Sequence, residues 1–142
     1  MTKDIFKALR TLTAWGALAI CNAYGQSPRI VAKVPFDFVV ANRNMEPGEY
    51  TFTIDLVQST VLVRGSADDS AAFALSYTAQ TGKMHEDAKL VFNRYGDRYF
   101  LSQVWPAGVA DGRELVQSTK ERELAKNLKQ PEIVALIVKA GR

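Results

Sequence analysis

Ile30, Ala32, Val34, Phe36, Phe38 and Val40 occupy every second position of one stretch, and Tyr50, Phe52, Ile54 and Leu56 repeat the pattern in the next. A β-strand returns a side chain to the same face every two residues, so this pattern dictates half-buried strands and excludes helices there. Pro35 falls on the opposite face and cannot donate to a ladder, so the first strand is expected to have a free side or a bulge at that point. Pro47-Gly48, within "MEPGEY", suits the centre of a type II turn. The second strand is then the expected hairpin partner of the first. Val61 to Arg64 reads as a short third strand, closed by Gly65 and the polar run Ser66 to Ser70. Phe73, Leu75 and Tyr77 mark a fourth, with small Ala72, Ala74 and Ser76 on its other face.

The stretch "AKLVFNRYGDRYFLSQVW" (Ala88 to Trp105) is the richest in polar and aromatic groups. A three-residue loop over Tyr95–Asp97 would set Arg94 against Arg98, two like charges face to face, which is destabilising. A two-residue Gly96-Asp97 loop of type II′ pairs Tyr95 with Arg98 and Arg94 with Tyr99, and a four-residue loop keeps that register. Leu90, Phe92, Tyr99, Leu101 and Trp105 then share one face; Lys89, Val91, Asn93, Tyr95, Arg98, Phe100 and Ser102 share the other. On this reading the polar crowd pins a hairpin. The competing reading makes Arg94, Tyr95 and Arg98 grip a ligand.

Pro106, Gly108 and Gly112 mark a loop after Trp105, and "STKERELAKNL" then turns helical. Ser118 with Glu121 fits a capping box, and Leu124 with Leu128 gives a narrow apolar stripe ended by Pro131. Ile133 to Val138 is apolar on both faces, the mark of a central, doubly covered strand. The expected fold is mainly β: a seven-stranded antiparallel meander forming a small barrel or barrel-like sandwich, with one covering helix before the last strand. The helix is expected to carry the chain back, so that the last strand enters parallel to the sixth and antiparallel to the first, covering its edge.

Residues 1–25 stand apart. Lys3, Lys7 and Arg10 precede an apolar run from Leu12 to Cys21 that is too short to span a bilayer, and Ala23-Tyr24-Gly25 offers small residues for signal-peptidase cleavage. A single domain over 26–142 follows, placed in the periplasm or outside the cell; the alternative is a lipoprotein anchored through Cys21. The chain has 18 Lys+Arg and 15 Asp+Glu. The leader removes three of the former and Asp4, leaving 15 against 14, so the basic balance comes partly from the export signal and argues for no nucleic-acid partner. The only cysteine leaves with the leader, and no further membrane span is expected.

That composition removes whole classes of chemistry. One histidine, His85, and no mature cysteine exclude Cys-His and Ser-His-Asp nucleophiles and zinc sites built from several N or S ligands. "HED" (His85-Glu86-Asp87), with Asp68 or Asp69, offers metal-type ligands, but neighbours in an extended segment point opposite ways. The carboxylates Asp37, Asp55, Asp97 and Glu114 cannot be paired from sequence for acid–base work, and "PAGVADG" lacks the spacing and lysine of a phosphate cradle. No catalytic residue, metal or cofactor is expected. The mature aromatics are assigned to the core, and seven closed strands leave no room for a ligand inside.

Three blocks, "VPFDFVVANRNMEPGEYT" (34–51), "AKLVFNRYGDRYFLSQVW" (88–105) and "GRELVQSTKERELAKN" (112–127), resemble recurring blocks of a family of small, signal-bearing, uncharacterised all-β proteins of soil bacteria. The resemblance implies an exported β domain and supplies no site residue. Ala41 and Asn93 depart from that pattern, in which other members carry Gly and His. The function expected from all this is an exported, non-catalytic envelope or secreted domain that binds a protein or polymer surface. The alternative is a small-molecule binder using a groove between helix and sheet. The candidate binding residues are Arg94, Tyr95, Arg98, Tyr99, Trp105 and Leu124.

Overall fold

The computed structural model describes residues 28–67, 69–80, 83–84, 86–127 and 130–138. The expected leader with Cys21, and Asp68, His85 and Leu128, lie outside the described residues. Ten strands and one helix are described: β1 (Arg29–Val34), β2 (Phe38–Val40), β3 (Arg43–Met45), β4 (Gly48–Asp55), β5 (Thr60–Gly65), β6 (Ala71–Gln80), β7 (Ala88–Tyr95), β8 (Arg98–Trp105), β9 (Asp111–Leu115), α1 (Thr119–Asn127) and β10 (Glu132–Val138).

The mainly β class and the single helix before the last strand agree with the sequence reading; the strand number, the simple meander and the closed barrel do not. Pro35 ends the first alternating run, splitting it into β1 and β2. β1 still pairs antiparallel with β4, Ile30 opposite Phe52, but the small β2–β3 hairpin is inserted between them. Its turn has positive φ at both Ala41 (50°) and Asn42 (68°), the geometry of a type I′ hairpin, whereas Gly48 is simply the first residue of β4. The sharp reversal therefore occurs six residues before the Pro-Gly pair that the sequence offered for it.

The strands run β1-β4-β5-β6-β9-β8, and β8 continues to β7 and β10 on its other side. One edge of β8 is shared: β9 pairs with its end at Gln103–Val104, and β2 pairs with its start at Tyr99–Phe100. The β2–β8 pair is parallel. The short strands β9 and β2 thus divide between them a length of wall that one long strand fills in a plain meander. β10 pairs antiparallel with β7 over its whole length, and β1 and β10 leave the sheet open. At one end Ile30 and Val138 face a common groove of about 310 Å³. The expected parallel entry beside the sixth strand, and the covering of β1 by the last one, do not occur.

The interior is filled. Phe38, Phe52, Phe92, Ile54, Leu90, Val61, Val63 and Val104 are essentially buried, and Phe36 and Phe38 both pack edge-on against Phe92. Across the sheet, β6 inverts the expected facing. Ala72, Ala74 and Ser76 point in, while Phe73, Leu75 and Tyr77 are 57%, 64% and 53% exposed. β2 and Met45 crowd the same cluster as Ala72 and Ala74, so the wall opposite them accepts only small side chains. Because facing has a period of two, the large residues are then forced outward.

Candidate functional site

Gly96 takes a positive φ of 66° and Asp97 does not, the signature of a type II′ turn, and the register pairs Tyr95 with Arg98 and Arg94 with Tyr99. Every candidate on this hairpin is engaged within the chain. Arg94 donates from Nε to the Gly96 carbonyl (2.7 Å), forms an ion pair with Glu132 on β10 (3.3 Å), and lies over the Tyr99 ring at 5.5 Å. Arg98 lies over Phe100. Tyr99 stacks on Phe36 with ring centres 3.8 Å apart.

Beyond Phe92 the register shifts. Val91 faces Gln103 while Phe92 faces Leu101, so Ser102 is an extra residue and the facing of β8 reverses after it. Trp105 is consequently opposite Lys89 on the outer face, instead of sharing a face with Leu90 and Phe92 as the unbroken alternation implied. Its ring lies under the Lys89 ammonium (5.6 Å), its Nε1 donates to Gln103 Oε1 (2.9 Å), and it covers Gly112, where an added Cβ would meet ring carbons at 2.5 Å. Leu124 is at the other end of β8, packed on Val39, Tyr95 and Phe100. The six candidates therefore do not form one site: Arg94, Tyr95, Arg98, Tyr99 and Leu124 gather near the hairpin turn, and Trp105 is some seven residues away, about 23 Å along an extended strand.

The helix is held by a buried acid. Glu121 is 3% exposed, and its Oε2 accepts from Asn93 Nδ2 (2.9 Å), Tyr95 Oη (2.9 Å) and Gln117 Nε2 (3.4 Å). Burial, and then the hydrogen bond to Glu121 and its charge, push the Tyr95 hydroxyl up to about 12. Half of the expected capping box forms: Ser118 Oγ accepts from the Glu121 amide at 3.2 Å, but the Glu121 carboxylate turns to the sheet. A second cap comes from a distance, the Asn42 side chain accepting from the Lys120 amide at 3.1 Å.

Arg113 is the other buried charge, 6% exposed. It donates to Ser76 Oγ (3.0 Å), Thr78 Oγ1 (2.8 Å) and the Ser76 carbonyl (3.0 Å), and among the described residues it has no carboxylate partner. It fastens β9 to β6. Neither buried charge was singled out from sequence as a buried site residue. The signal for Arg113 was its position two before Leu115 on a short strand, which places both on one face.

Shallow, open grooves adjoin these elements among the described residues. A groove of about 570 Å³ brings the candidate carboxylates Asp37 and Asp97 together with Glu46 beside Arg98 and Tyr99. All three acids are exposed, which denies them the dry setting that acid–base catalysis exploits. A second groove, about 400 Å³, runs between α1 and the start of β8, lined by Arg98, Lys120, Glu123, Leu124 and Asn127. The third is the groove shared by Ile30 and Val138. Among the described residues no three His, Cys, Asp or Glu side chains are grouped to hold a metal, and no helix is long and apolar enough to cross a membrane.

The outer face of β6 carries a row of exposed apolar side chains. Phe73 is opposite Leu62 and Leu75 is opposite Thr60; Val116, half exposed, donates its amide to the Leu75 carbonyl. Tyr77 is opposite Glu114, and desolvation followed by the Glu114 charge raises its hydroxyl above the usual tyrosine value. The turn after β4 adds exposed Leu56 and Val57, held by Asp55, whose Oδ1 accepts from the Val57 and Gln58 amides at 3.0 Å. No family model, no curated protein and no solved structure matches the chain.

Proposed function

We propose that this chain is an exported, non-catalytic domain that binds a partner protein through the outer face of β6. One observation carries the reading: Phe73, Leu75 and Tyr77 stand more than half exposed in a row while alanines fill the buried side. Contiguous apolar surface of this kind is rare on proteins that meet only water, and aromatic anchors within a polar rim are what protein interfaces use. Arg64 beside the start of the row and Glu114 beside its end supply the rim. A polysaccharide is favoured less, because Leu75 interrupts the rings and leaves no continuous platform. Export rests on the leader at residues 1–25.

The exported chain, used as bait in an envelope extract, tests this. Phe73→Lys and Leu75→Lys change exposed positions, so melting should move little. Both should weaken a retained protein about tenfold or more, as loss of an interface anchor does. Val31→Lys, on the same sheet but away from the row, should leave it in place. Equal retention by all the variants, or no retained protein with the wild type, refutes the reading.

A second reading is favoured by the groove between α1 and β8: a small ligand bound against Leu124 between Arg98 and Glu123. Leu124→Lys should abolish such binding and leave the β6 interaction intact.

A further inference from the structure

Of the three strands that end the open sheet, the short β3 and the longer β1 and β10, the two long ones are protected differently. β1 carries Lys33 and is bracketed by Pro28 and Pro35, features that discourage another strand from adding to it. Beyond Pro131 and Glu132 at its start, β10 has neither. Ile133 to Val138 is six apolar residues in a row with no glycine, proline or charge, and among the described strands only β7 pairs with it. Ile133 and Ile137 are 64% and 51% exposed on the outer face. On the inner face Val134, Leu136 and Val138 reach the core but stay only partly buried; no described strand is hydrogen-bonded beyond them, and at one end Val138 shares a groove with Ile30 and Val31 of β1. Among the described residues this apolar edge is unpaired, and an unpaired apolar edge recruits another strand.

The strand itself indicates which one. Ile133-Val134-Ala135-Leu136-Ile137 reads almost the same in both directions. We propose that β10 pairs antiparallel with β10 of a second copy of this chain, about a two-fold axis through Ala135, so that one sheet runs across both molecules. Residues directly opposite in an antiparallel pair lie on the same face. In this register Ile133 meets Ile137 of the copy on the outer face, Val134 meets Leu136 on the inner face, and the two alanines meet at the axis. A two-residue shift in one direction sets Glu132 against Leu136, and in the other Ala135 against Ile137, losing the match of volumes. The ion pair of Glu132 with Arg94 sits at the end of the strand, clear of the axis. A two-fold contact of this kind is self-complementary by construction. It uses a different part of the sheet from the β6 row and does not depend on it.

Cysteine placement tests the register. In the full chain carrying Cys21→Ser, an introduced thiol is the sole one. Ala135→Cys puts two thiols opposite each other across the axis, with Cα atoms about 4.5–5.5 Å apart, within disulfide reach. Mild oxidation should convert it to a covalent dimer. Ile133→Cys and Ile137→Cys should each fail to link to themselves, since like positions lie about 13 Å apart along the strands, yet a mixture of the two should give the heterodimer. Sedimentation should show a dimer for the wild type and a monomer of unchanged circular dichroism for Ile133→Lys/Ile137→Lys. A monomeric wild type, a dimer that Ala135→Cys does not capture, or equal linking at all three positions overturns the proposal.

Discussion

Replacing Glu121 by alanine probes what keeps the helix on the sheet. At nine residues α1 is too short to be stable by itself in water, and Glu121 is its one buried side chain. Its carboxylate takes hydrogen bonds from two strand side chains, Asn93 and Tyr95, each at 2.9 Å, and a longer one from Gln117. Alanine leaves the two strand donors without an acceptor beneath the helix. A buried donor left unsatisfied costs roughly 1–3 kcal/mol. Tyr95, 4% exposed, incurs most of that, half-buried Asn93 less, and Gln117 turns to water. The expected loss is about 3 kcal/mol, which for a domain of this size lowers Tm by about 10 °C.

Urea unfolding followed by circular dichroism measures it, with the slope checked for constancy. The interpretation is sharpened by a cycle with Tyr95→Phe. That variant alone removes one donor and should cost about 1 kcal/mol, while the double variant should cost at least 1 kcal/mol less than the sum, because the phenylalanine has nothing left to satisfy. Glu121→Gln keeps an acceptor oxygen and should fall between wild type and alanine. A Glu121→Ala protein within 0.5 kcal/mol of wild type, or strict additivity in the cycle, would show that α1 is held by its apolar contact through Leu124 and that the carboxylate is incidental.

Three further outcomes are expected. Ala41→Gly should raise stability by about 0.5–1 kcal/mol in the same unfolding assay, because the left-handed conformation costs an alanine about 1–2 kcal/mol and glycine's freer unfolded chain takes back only part of it. Gly112→Ala should lower Tm by several degrees, since its methyl group collides with the Trp105 ring, and the Trp105 emission should shift with the displaced ring. The Tyr95 hydroxyl is raised to about 12 from an ordinary value of 10.0, so its neutral form stabilises the fold fully below pH 10 and that contribution is lost as pH climbs toward 12. Tyr95→Phe should therefore flatten the alkaline limb of stability against pH; an unchanged limb would mean that Tyr95 does not titrate in that window.

Local pattern carried much of the fold. The β7–β8 register followed from one electrostatic argument about Arg94 and Arg98, and the positive φ of Gly96 from the turn that this register requires. α1 was legible from Ser118, Leu124 and Pro131. Failures began where a long-range partner decided between two locally equal choices. Alternation says that Phe73, Leu75 and Tyr77 share a face, but it is silent on which face is inside; β2 approaching across more than thirty residues of chain settles that. Trp105 was misfaced by a single extra residue at Ser102, which no composition signal marks. The candidate ligand-gripping residues were found together near the turn, but each meets a partner inside the chain, and the two buried charges that organise the structure, Glu121 and Arg113, look from sequence like any solvated pair.

The same ambiguity explains the β10 error and gives it meaning. An apolar run on both faces is the mark of a strand covered on both faces, and within one copy of the chain β10 is not: none of its seven residues is buried. Beyond Pro131 and Glu132 at its start, β10 spends six consecutive apolar side chains on an edge, whereas β1 carries Lys33 within the strand and a proline beyond each end. Such a local conflict resolves when the covering surface lies outside the single chain. The doubly covered strand expected from this run is not what the chain builds: under the two-fold pairing proposed above β10 becomes central in a sheet by gaining a neighbour at its edge, while Ile133 and Ile137 stay on its outer face.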